Sequence, residues 1–283
     1  MVTMALQRFK KFERSKELSK KLVIQPRDLA ILSDVADYRF LDAEQILALH
    51  PGSLRNTQTR LALLFHLGYL DRPPSQKLFA RHGTSFIYSL AEKGAQALGR
   101  ETKMREVAFP YLAHAMMISA FRCTLTLALK KQPDRPEFGR WVQGYELKDL
   151  LSRRGEKPEL VPDAFFSIER ERTRWNFFLE ADRSTMSRER FLDKLKIYWK
   201  WRNDERLLKT LGISKFFRVL TITYSEERKE NLRAISKNAD DSGQGTSRFL
   251  FLSEKTYSLT NPEKLFSPLW LSPKDNAAHS LLE

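Results

Sequence analysis

Cysteine is almost absent from this chain, and this and other absences exclude several classes of protein. Among 283 residues there is one cysteine, Cys123, which excludes a disulfide framework and a multi-cysteine zinc site. The longest apolar stretch, around Ala113–Phe121, stops at Arg122 and is far short of a membrane span. The first 21 residues also lack the apolar run of a signal peptide. These absences predict a soluble, cytoplasmic protein.

Positive charge, in contrast, is abundant. The chain has 49 Lys and Arg against 35 Asp and Glu, a formal net charge of +14. This excess indicates a polyanionic partner, although its sign does not separate nucleic acid from an anionic membrane surface. Half of the excess lies in residues 1–100, and residues 1–27 carry eight basic side chains against Glu13 and Glu17. Such an arm suits contact with phosphates, and a solvated terminus explains it equally well.

Three helices are predicted in the first seventy residues. Apolar spacing of three and four residues indicates a first helix from Gln25. Asp42 is a suitable N-cap for a second helix that runs to His50, where Pro51-Gly52 stops it. Ser53 precedes a third helix, Leu54–Leu67, which Gly68 ends.

A β-hairpin and a short helix are predicted next. Alternating patterns indicate strands over Gln76–Arg81 and Thr84–Leu90, joined by a His82-Gly83 turn and followed by a helix over Ala91–Leu98. Three helices, a hairpin and a closing helix form a winged helix-turn-helix. The run YLDR…FIYSLAEKGAQAL strongly resembles the wing and exit helix of bacterial winged-helix DNA-binding domains.

In that fold the third helix enters the major groove of double-stranded DNA, where Arg can read guanine and Asn or Gln can read adenine. The candidate base-reading residues on the polar face of this helix are Arg55, Asn56, Gln58, Thr59 and Arg60. Lys77 and Arg81 lie where a wing would meet phosphates. The alternative is a winged helix used for contact with another protein, with these residues as a solvated face.

The second half of the chain has an α/β pattern. Its predicted elements, in order, are a helix Tyr111–Lys130, a loop Lys131–Arg140, a strand-to-helix passage Trp141–Leu151, paired strands Leu160–Ile168 and Trp175–Ala181, a helix from Ser187 to about Leu211, a strand Phe216–Tyr224, a helix Ser225–Lys237 and a strand Arg248–Leu252. The fold class expected for the whole chain is therefore α/β (α+β). The expected domains are an arm over 1–25, a winged helix over 26–102 and a mixed-sheet domain over 103–283.

Acidic side chains lie at matching ends of the two paired strands. Asp163 stands near the start of the first strand and Glu180 near the end of the second, so antiparallel pairing brings them to one edge of the sheet. Adjacent carboxylates repel unless a cation or a shared proton compensates them, which suggests a divalent metal site for Mg²⁺ or Mn²⁺. Asp182 points to the same side, and Lys194 could reach it from the next helix. Alternatively, these acids pair with the many nearby arginines.

This constellation resembles the PD-(D/E)XK nuclease superfamily, through Pro162-Asp163 followed by Glu180-Ala181-Asp182. The resemblance implies a restriction-endonuclease-like domain in which Asp163 and Glu180 hold Mg²⁺ and a lysine helps to activate or orient water. The usual lysine position is occupied by Asp182, so Lys194 is the best candidate for that role. Glu146 matches an occasional helical acid of the superfamily and is a further candidate metal ligand.

Taken together, both halves resemble the replication-relaxation family over roughly residues 25–255. The segments that carry the resemblance are LVPDAFF, FLEADRST, KLKIYWKW and FFRVLTITYSEER. Members occur on plasmids and mobile elements and are linked to replication, relaxation and conjugative mobilisation. The resemblance implies a DNA-processing role, with other mobilisation or replication proteins and a second copy of the chain as further partners.

Three functions stay open at this stage: a Mg²⁺-dependent nickase, a non-catalytic regulator whose nuclease-like domain serves dimerisation, and a protein-only adaptor of the conjugation machinery. Tyr198, four residues after Lys194, could support the site or act as a nucleophile. The five histidines lack an HxH or HxxxH grouping, which argues against a relaxase of the histidine-cluster type. His114 fits a hydrogen-bonded core position, and Trp175, Trp199 and Trp201 could stack on bases.

Overall fold

A computed structural model describes residues 11–15, 23–78, 85–101, 107–134, 136–152 and 156–282. The chain divides into two compact units, Met1–Cys123 and Thr124–Glu283, which we call the N-terminal and C-terminal units. The division falls within a long helix, 21 residues later than the boundary at 102/103 expected from the sequence.

The three helices predicted for the N-terminal unit are confirmed. They are α1 (Pro26–Tyr38), α2 (Ala43–Leu49) and α3 (Leu54–His66). Asp42 caps α2 as predicted: its carboxylate accepts from the Gln45 backbone N–H at 2.8 Å, while the Gln45 side chain accepts from the Asp42 N–H at 3.0 Å. This reciprocal capping box fixes the start of α2.

The small sheet of this unit differs in part from the predicted hairpin. It pairs β1 (Leu41–Asp42), β3 (Ile87–Leu90) and β2 (Leu70–Asp71) in antiparallel fashion, with β3 in the centre. The predicted strand from Gln76 is wrong where it is described, since residues 74–78 form a 3-10 helix. Here the Gln76 side chain, and not a neighbouring strand, bonds to the backbone of Ile87. It accepts from the Ile87 N–H and donates to the Ile87 carbonyl, at 2.9 Å each.

A short helix follows the small sheet, and part of the basic arm packs on the same unit. The closing helix, α4 (Glu92–Ala97), confirms the one predicted after the hairpin. Within residues 11–15, the Phe12 ring meets Phe86 edge-on at 5.8 Å, and the Lys11 carbonyl accepts from the Arg72 guanidinium at 2.6 Å. That guanidinium also lies 4.3 Å from the centroid of Phe65. The described piece of the arm is therefore part of the packed unit.

The long helix α5 spans Phe109–Lys131, close to its predicted bounds. Among the described residues, α5 is the one helix that is long enough and apolar enough to cross a membrane, judged by length and composition alone. The mean hydropathy of its most apolar window is 1.4. Of that window, 61% is buried inside the protein. A buried core helix meets the same criteria of length and composition.

The C-terminal unit is built on a mixed sheet. Its elements are β4 (Glu137–Gln143), α6 (Gly144–Leu151), β5 (Ala164–Arg170), β6 (Thr173–Asp182), α7 (Arg188–Trp201), α8 (Glu205–Leu211), β7 (Arg218–Thr223), α9 (Glu226–Ile235), β8 (Phe249–Ser253), β9 (Trp270–Leu271) and β10 (Ala278–His279). The described strands form one seven-stranded sheet in the order β10-β9-β8-β7-β6-β5-β4. Strands β6, β7 and β8 are parallel, and the other neighbours are antiparallel. The predicted α+β class is confirmed.

Two predictions in this unit are wrong in detail. The loop expected over Lys131–Arg140 contains the start of β4, whose ladder is interrupted by a bulge between Phe138 and Arg140. Gly139 sits at this bulge because a Cβ there would lie 2.5 Å from the Ser167 hydroxyl. The single helix expected over residues 187–211 is two helices, because Asp204 caps α8, accepting from the Leu207 N–H at 3.0 Å.

Aromatic packing joins α7 to one face of the sheet. The Phe178 ring on β6 is fully buried, with centroids 5.3 Å from Phe165 on β5 and 5.0 Å from Phe217. From α7, Tyr198 and Trp201 approach it at 5.3 and 5.4 Å. Phe178, Glu180 and Asp182 alternate onto this face, so the same packing places α7 over both acids.

Replacing Phe178 with alanine tests this packing. We expect Phe178→Ala to lower the free energy of unfolding by about 3–5 kcal/mol, because it leaves a cavity where four rings met. Phe216→Ala is the matched control, since that ring is 67% exposed and its loss should change stability by less than about 0.5 kcal/mol. Urea unfolding followed by tryptophan fluorescence measures both, and equal effects would contradict the assignment.

Candidate functional site

The two carboxylates predicted to meet are placed opposite each other. The Asp163 N–H donates to the Leu179 carbonyl at 3.1 Å, which extends the β5–β6 ladder one pair beyond Ala164 and Leu179. Asp163 therefore faces Glu180 across the two strands. The Asp163 carboxylate also accepts from the Ala181 N–H at 2.8 Å, which fixes its orientation. Like charges directly opposite in a sheet repel, so this pair needs compensation.

The compensation comes from two residues on α7. The Lys194 ammonium forms an ion pair with one Glu180 oxygen, and the Tyr198 hydroxyl donates to the other at 2.5 Å. Lys194 and Tyr198 are one helical turn apart, so α7 presents both to the same carboxylate. The Glu180 side chain is 4% exposed and that of Lys194 is 19% exposed. Lys194 thus reaches the sheet edge to which the sequence assigned it.

Burial and charge determine the protonation states of this cluster. Burial raises the pKa of Glu180, and the neighbouring Lys194 ammonium offsets only part of this increase. Burial alone would lower the pKa of Lys194, but the charges of Glu180 and Asp163 outweigh it and raise that pKa. Burial and Glu180 also raise the pKa of Tyr198 well above its usual value. The Tyr198 phenol is therefore a buried, protonated donor that orients Glu180.

Asp182 lies on the same face but is paired elsewhere. Its two oxygens accept from Arg228 on α9, at 2.8 Å from Nε and 3.0 Å from Nη2, and the Ser184 N–H donates to it at 2.8 Å. This bidentate geometry is strong and neutralises the Asp182 charge. The sequence reasoning missed Arg228. The sequence feature that could have indicated it is the position of Arg228 in the first turn of the helix that follows β7. The C-terminal ends of parallel strands meet at one edge of the sheet, so this turn lies near the end of β6.

A buried hydroxyl next to Glu180 was also missed. Thr221 pairs with Glu180 in the β6–β7 ladder and is fully buried. Its hydroxyl has no hydrogen-bond partner among the residues that the structure describes. Buried polar atoms are nearly always satisfied, so this hydroxyl marks a place for a water or a ligand oxygen.

The donor set at this place is small for a divalent metal. Asp163 and Glu180 are two oxygen donors, which suffices for Mg²⁺ because this ion keeps several waters and is often held by one or two carboxylates. Glu146 is exposed on α6, and within the described part of the chain no group of three Asp, Glu, His or Cys side chains assembles. His114, half-buried on α5, therefore belongs to no such group. A metal at this place would compete with Lys194 for Glu180.

The second candidate surface is the polar face of α3. Arg55, Asn56, Gln58 and Thr59 are all exposed. The Thr59 hydroxyl donates to the Arg55 carbonyl at 2.9 Å, and no ion pair within the described residues engages the Arg55 guanidinium. The opposite side of α3 is buried through Leu61 and other apolar side chains.

Arg60 differs from the other residues of this face. Its Nε donates to the buried carboxylate of Asp28 at 2.8 Å, and its Nη2 donates to the Val23 carbonyl at 2.9 Å. Although burial alone would raise the pKa of Asp28, its contacts with Arg60 lower it. Arg60 thus ties α3 to α1. Lys77 is exposed, with its ammonium 5.0 Å from the Phe12 centroid, and Arg81 lies outside the described residues.

Comparison with known families places the chain in one of them. A profile of the Replication-relaxation family matches residues 32–213, which is more than half of the chain. The protein therefore belongs to this family, and membership indicates a role in replication or mobilisation of plasmids or other mobile elements. Comparisons with curated proteins and with solved structures gave no match.

The Lys194–Glu180 pair generates a stability prediction. We expect Lys194→Met to lower the free energy of unfolding by about 3 kcal/mol, because it leaves the Glu180 charge buried without its cation. Adding Glu180→Gln to this variant should restore most of the loss. Lys196→Met, whose side chain is 50% exposed, is the control and should have little effect. Thermal unfolding of the three variants measures this, and a double variant as unstable as Lys194→Met would contradict the pairing.

Proposed function

We propose that this protein is a sequence-directed DNA-binding protein that acts in plasmid or mobile-element replication-relaxation or conjugative mobilisation. The N-terminal unit is the reader of duplex DNA, with α3 as the recognition helix of a winged helix-turn-helix. The observation that carries this proposal is the exposed polar face of α3, on which Arg55, Asn56 and Gln58 project into solvent. Family membership supports it independently.

The chemistry of this face suits base pairs in the major groove. An α-helix fits that groove, a guanidinium can donate twice to guanine, and a side-chain amide can pair with adenine. The excess positive charge of residues 1–100 supplies attraction to phosphates. Because Arg60 is held by Asp28, it serves to orient α3 rather than to read a base. Lys77, exposed on the 3-10 helix before β3, would contact the backbone beside the groove.

Substitutions on α3 test the proposal. The preferred duplex is first selected from a random library with the full chain, and its affinity is measured by fluorescence anisotropy. We expect Arg55→Gln and Gln58→Ala each to weaken binding by about tenfold, because each removes one base contact of roughly 1–3 kcal/mol. Binding to a scrambled duplex should change much less.

Arg100→Gln is the matched control for this experiment. It makes the same change of charge in the same unit, at a guanidinium already paired with Asp37 at 2.6 Å. Equal losses in Arg100→Gln and Arg55→Gln would show a general charge effect and refute base reading by α3. Negligible affinity for duplex DNA even at low salt would favour the protein-only adaptor.

A second candidate function is nicking of DNA by the C-terminal unit, as a nuclease-like domain of the PD-(D/E)XK kind. The observation that favours it is the placement of Asp163 opposite Glu180, with Lys194 in contact. Asp163 and Glu180 would hold Mg²⁺ or Mn²⁺, and the bound ion would supply a water of lowered pKa. Lys194, once released from Glu180, would carry the positive charge that stabilises an anionic phosphate.

Supercoiled plasmid incubated with the full chain and Mg²⁺ or Mn²⁺ tests the second function. If the domain cuts, Asp163→Asn and Glu180→Gln should abolish the nicked product, because each removes one of the two acids that hold the ion. Glu189→Gln, in the exposed first turn of α7, is the control and should nick like the wild type. Specific DNA binding with no nicking at either metal would instead favour the non-catalytic regulator, with the C-terminal unit as a dimerisation domain.

A further inference from the structure

A basic and aromatic surface lies at the start of β7. Phe216 precedes this strand, and its ring is 67% exposed. Two cations flank it, the Lys215 ammonium at 5.6 Å and the Arg248 guanidinium at 5.5 Å from the ring centroid. Arg248 is held in place because it also donates to the Lys215 carbonyl at 2.8 Å. We call Lys215, Phe216 and Arg248, together with Trp199 and Arg202, the Phe216 patch.

The charge of the Phe216 patch is only partly compensated from within the protein. Arg202 stacks on Trp199 at 3.7 Å and pairs with Asp241 at 3.1 Å. Among the described residues, neither Arg248 nor Lys215 has a carboxylate partner. Burial and the like charge of Arg202 lower the pKa of Arg248, so an anion placed here would relieve a repulsion that already exists.

This patch is separate from the carboxylate cluster. Thr221, which adjoins Glu180, lies five residues along the chain from Phe216, a distance of about 16 Å in an extended strand. Within the patch, Lys215, Phe216 and Arg248 lie at the N-terminal ends of β7 and β8, whereas Glu180 and Asp182 lie near the C-terminal end of the parallel strands. Neither candidate function proposed above uses it.

We propose that the Phe216 patch binds single-stranded nucleic acid, with one base stacked on Phe216 and the adjoining phosphates on Lys215 and Arg248. An exposed aromatic ring between unpaired cations matches the alternation of base and phosphate along a single strand. In a duplex the base faces are covered by their neighbours, so the ring would have nothing to stack on. Arg202 is already engaged by Trp199 and Asp241, so Lys215 and Arg248 are the cations left to contact the phosphates.

The experiment measures binding of a fluorescent oligothymidylate of about 15 nucleotides to the full chain by anisotropy. We expect Phe216→Ala to weaken binding by about tenfold, since one stacked base is lost, and Phe216→Trp to retain wild-type affinity. Arg248→Gln should reduce the slope of log affinity against log salt by about 0.7, the value for one phosphate contact on a single strand.

Tyr224→Ala is the matched control. Tyr224 follows β7, is 53% exposed and lies about 26 Å from Phe216 along the extended strand, so its loss should leave the affinity unchanged. A blunt duplex of the same length should bind Phe216→Ala and wild type equally well. Because the α3 variants test duplex binding separately, failure of one proposal is distinguishable from failure of the other.

Four outcomes would overturn the proposal. They are unchanged oligothymidylate affinity in Phe216→Ala, an equal loss in Tyr224→Ala, an equal loss on the duplex, and no binding of oligothymidylate by the wild type at low salt. Vesicles of anionic phospholipid provide the remaining comparison. If they bind the wild type and lose binding in Arg248→Gln while oligothymidylate does not bind, the patch is a lipid-contacting surface.

Discussion

The buried carboxylate of Glu180 is the constraint around which the C-terminal unit is arranged. A charge at this depth is tolerated only with a cation and hydrogen-bond donors beside it, and α7 supplies both through Lys194 and Tyr198. The same helix packs its aromatic side chains on Phe178, two residues earlier in β6. The position of α7 therefore serves both the apolar core and the charged residues at the end of β6.

Charge is compensated differently in three parts of the molecule. Acids at the C-terminal edge of the parallel strands are matched within the protein, Glu180 by Lys194 and Asp182 by Arg228. The Phe216 patch has cations without matching carboxylates at Lys215 and Arg248. On α3, Arg60 is compensated by Asp28 while Arg55 is not. Positive side chains left unmatched at exposed positions are those best placed for an anionic partner, whereas matched ones stabilise the fold.

Local sequence signals predicted most of the fold where they agreed with tertiary packing. Caps at Asp42 and Ser53 marked helices that form at those positions, and the paired strands around Asp163 and Glu180 follow from their apolar runs. Predictions failed where a distant contact decided the conformation. Gln76 lies in a strand-like pattern, but its side chain bonds to Ile87 and a 3-10 helix forms instead. The residues just before Trp141, predicted to form a loop, begin strand β4 because they pair with β5.

The sequence by itself predicted that Asp163 and Glu180 share one edge of the sheet, because antiparallel pairing through a short tip brings those two strand ends together. It also determined the composition of the exposed face of α3, because helical periodicity separates polar from apolar residues. Only the tertiary structure decided how the charges are matched. Arg228, Asp182 and Lys194 come from separate elements. Arg60 on α3 pairs with Asp28 on α1. Ion pairing depends on distances of a few ångströms between side chains remote in sequence, and no local pattern specifies those distances.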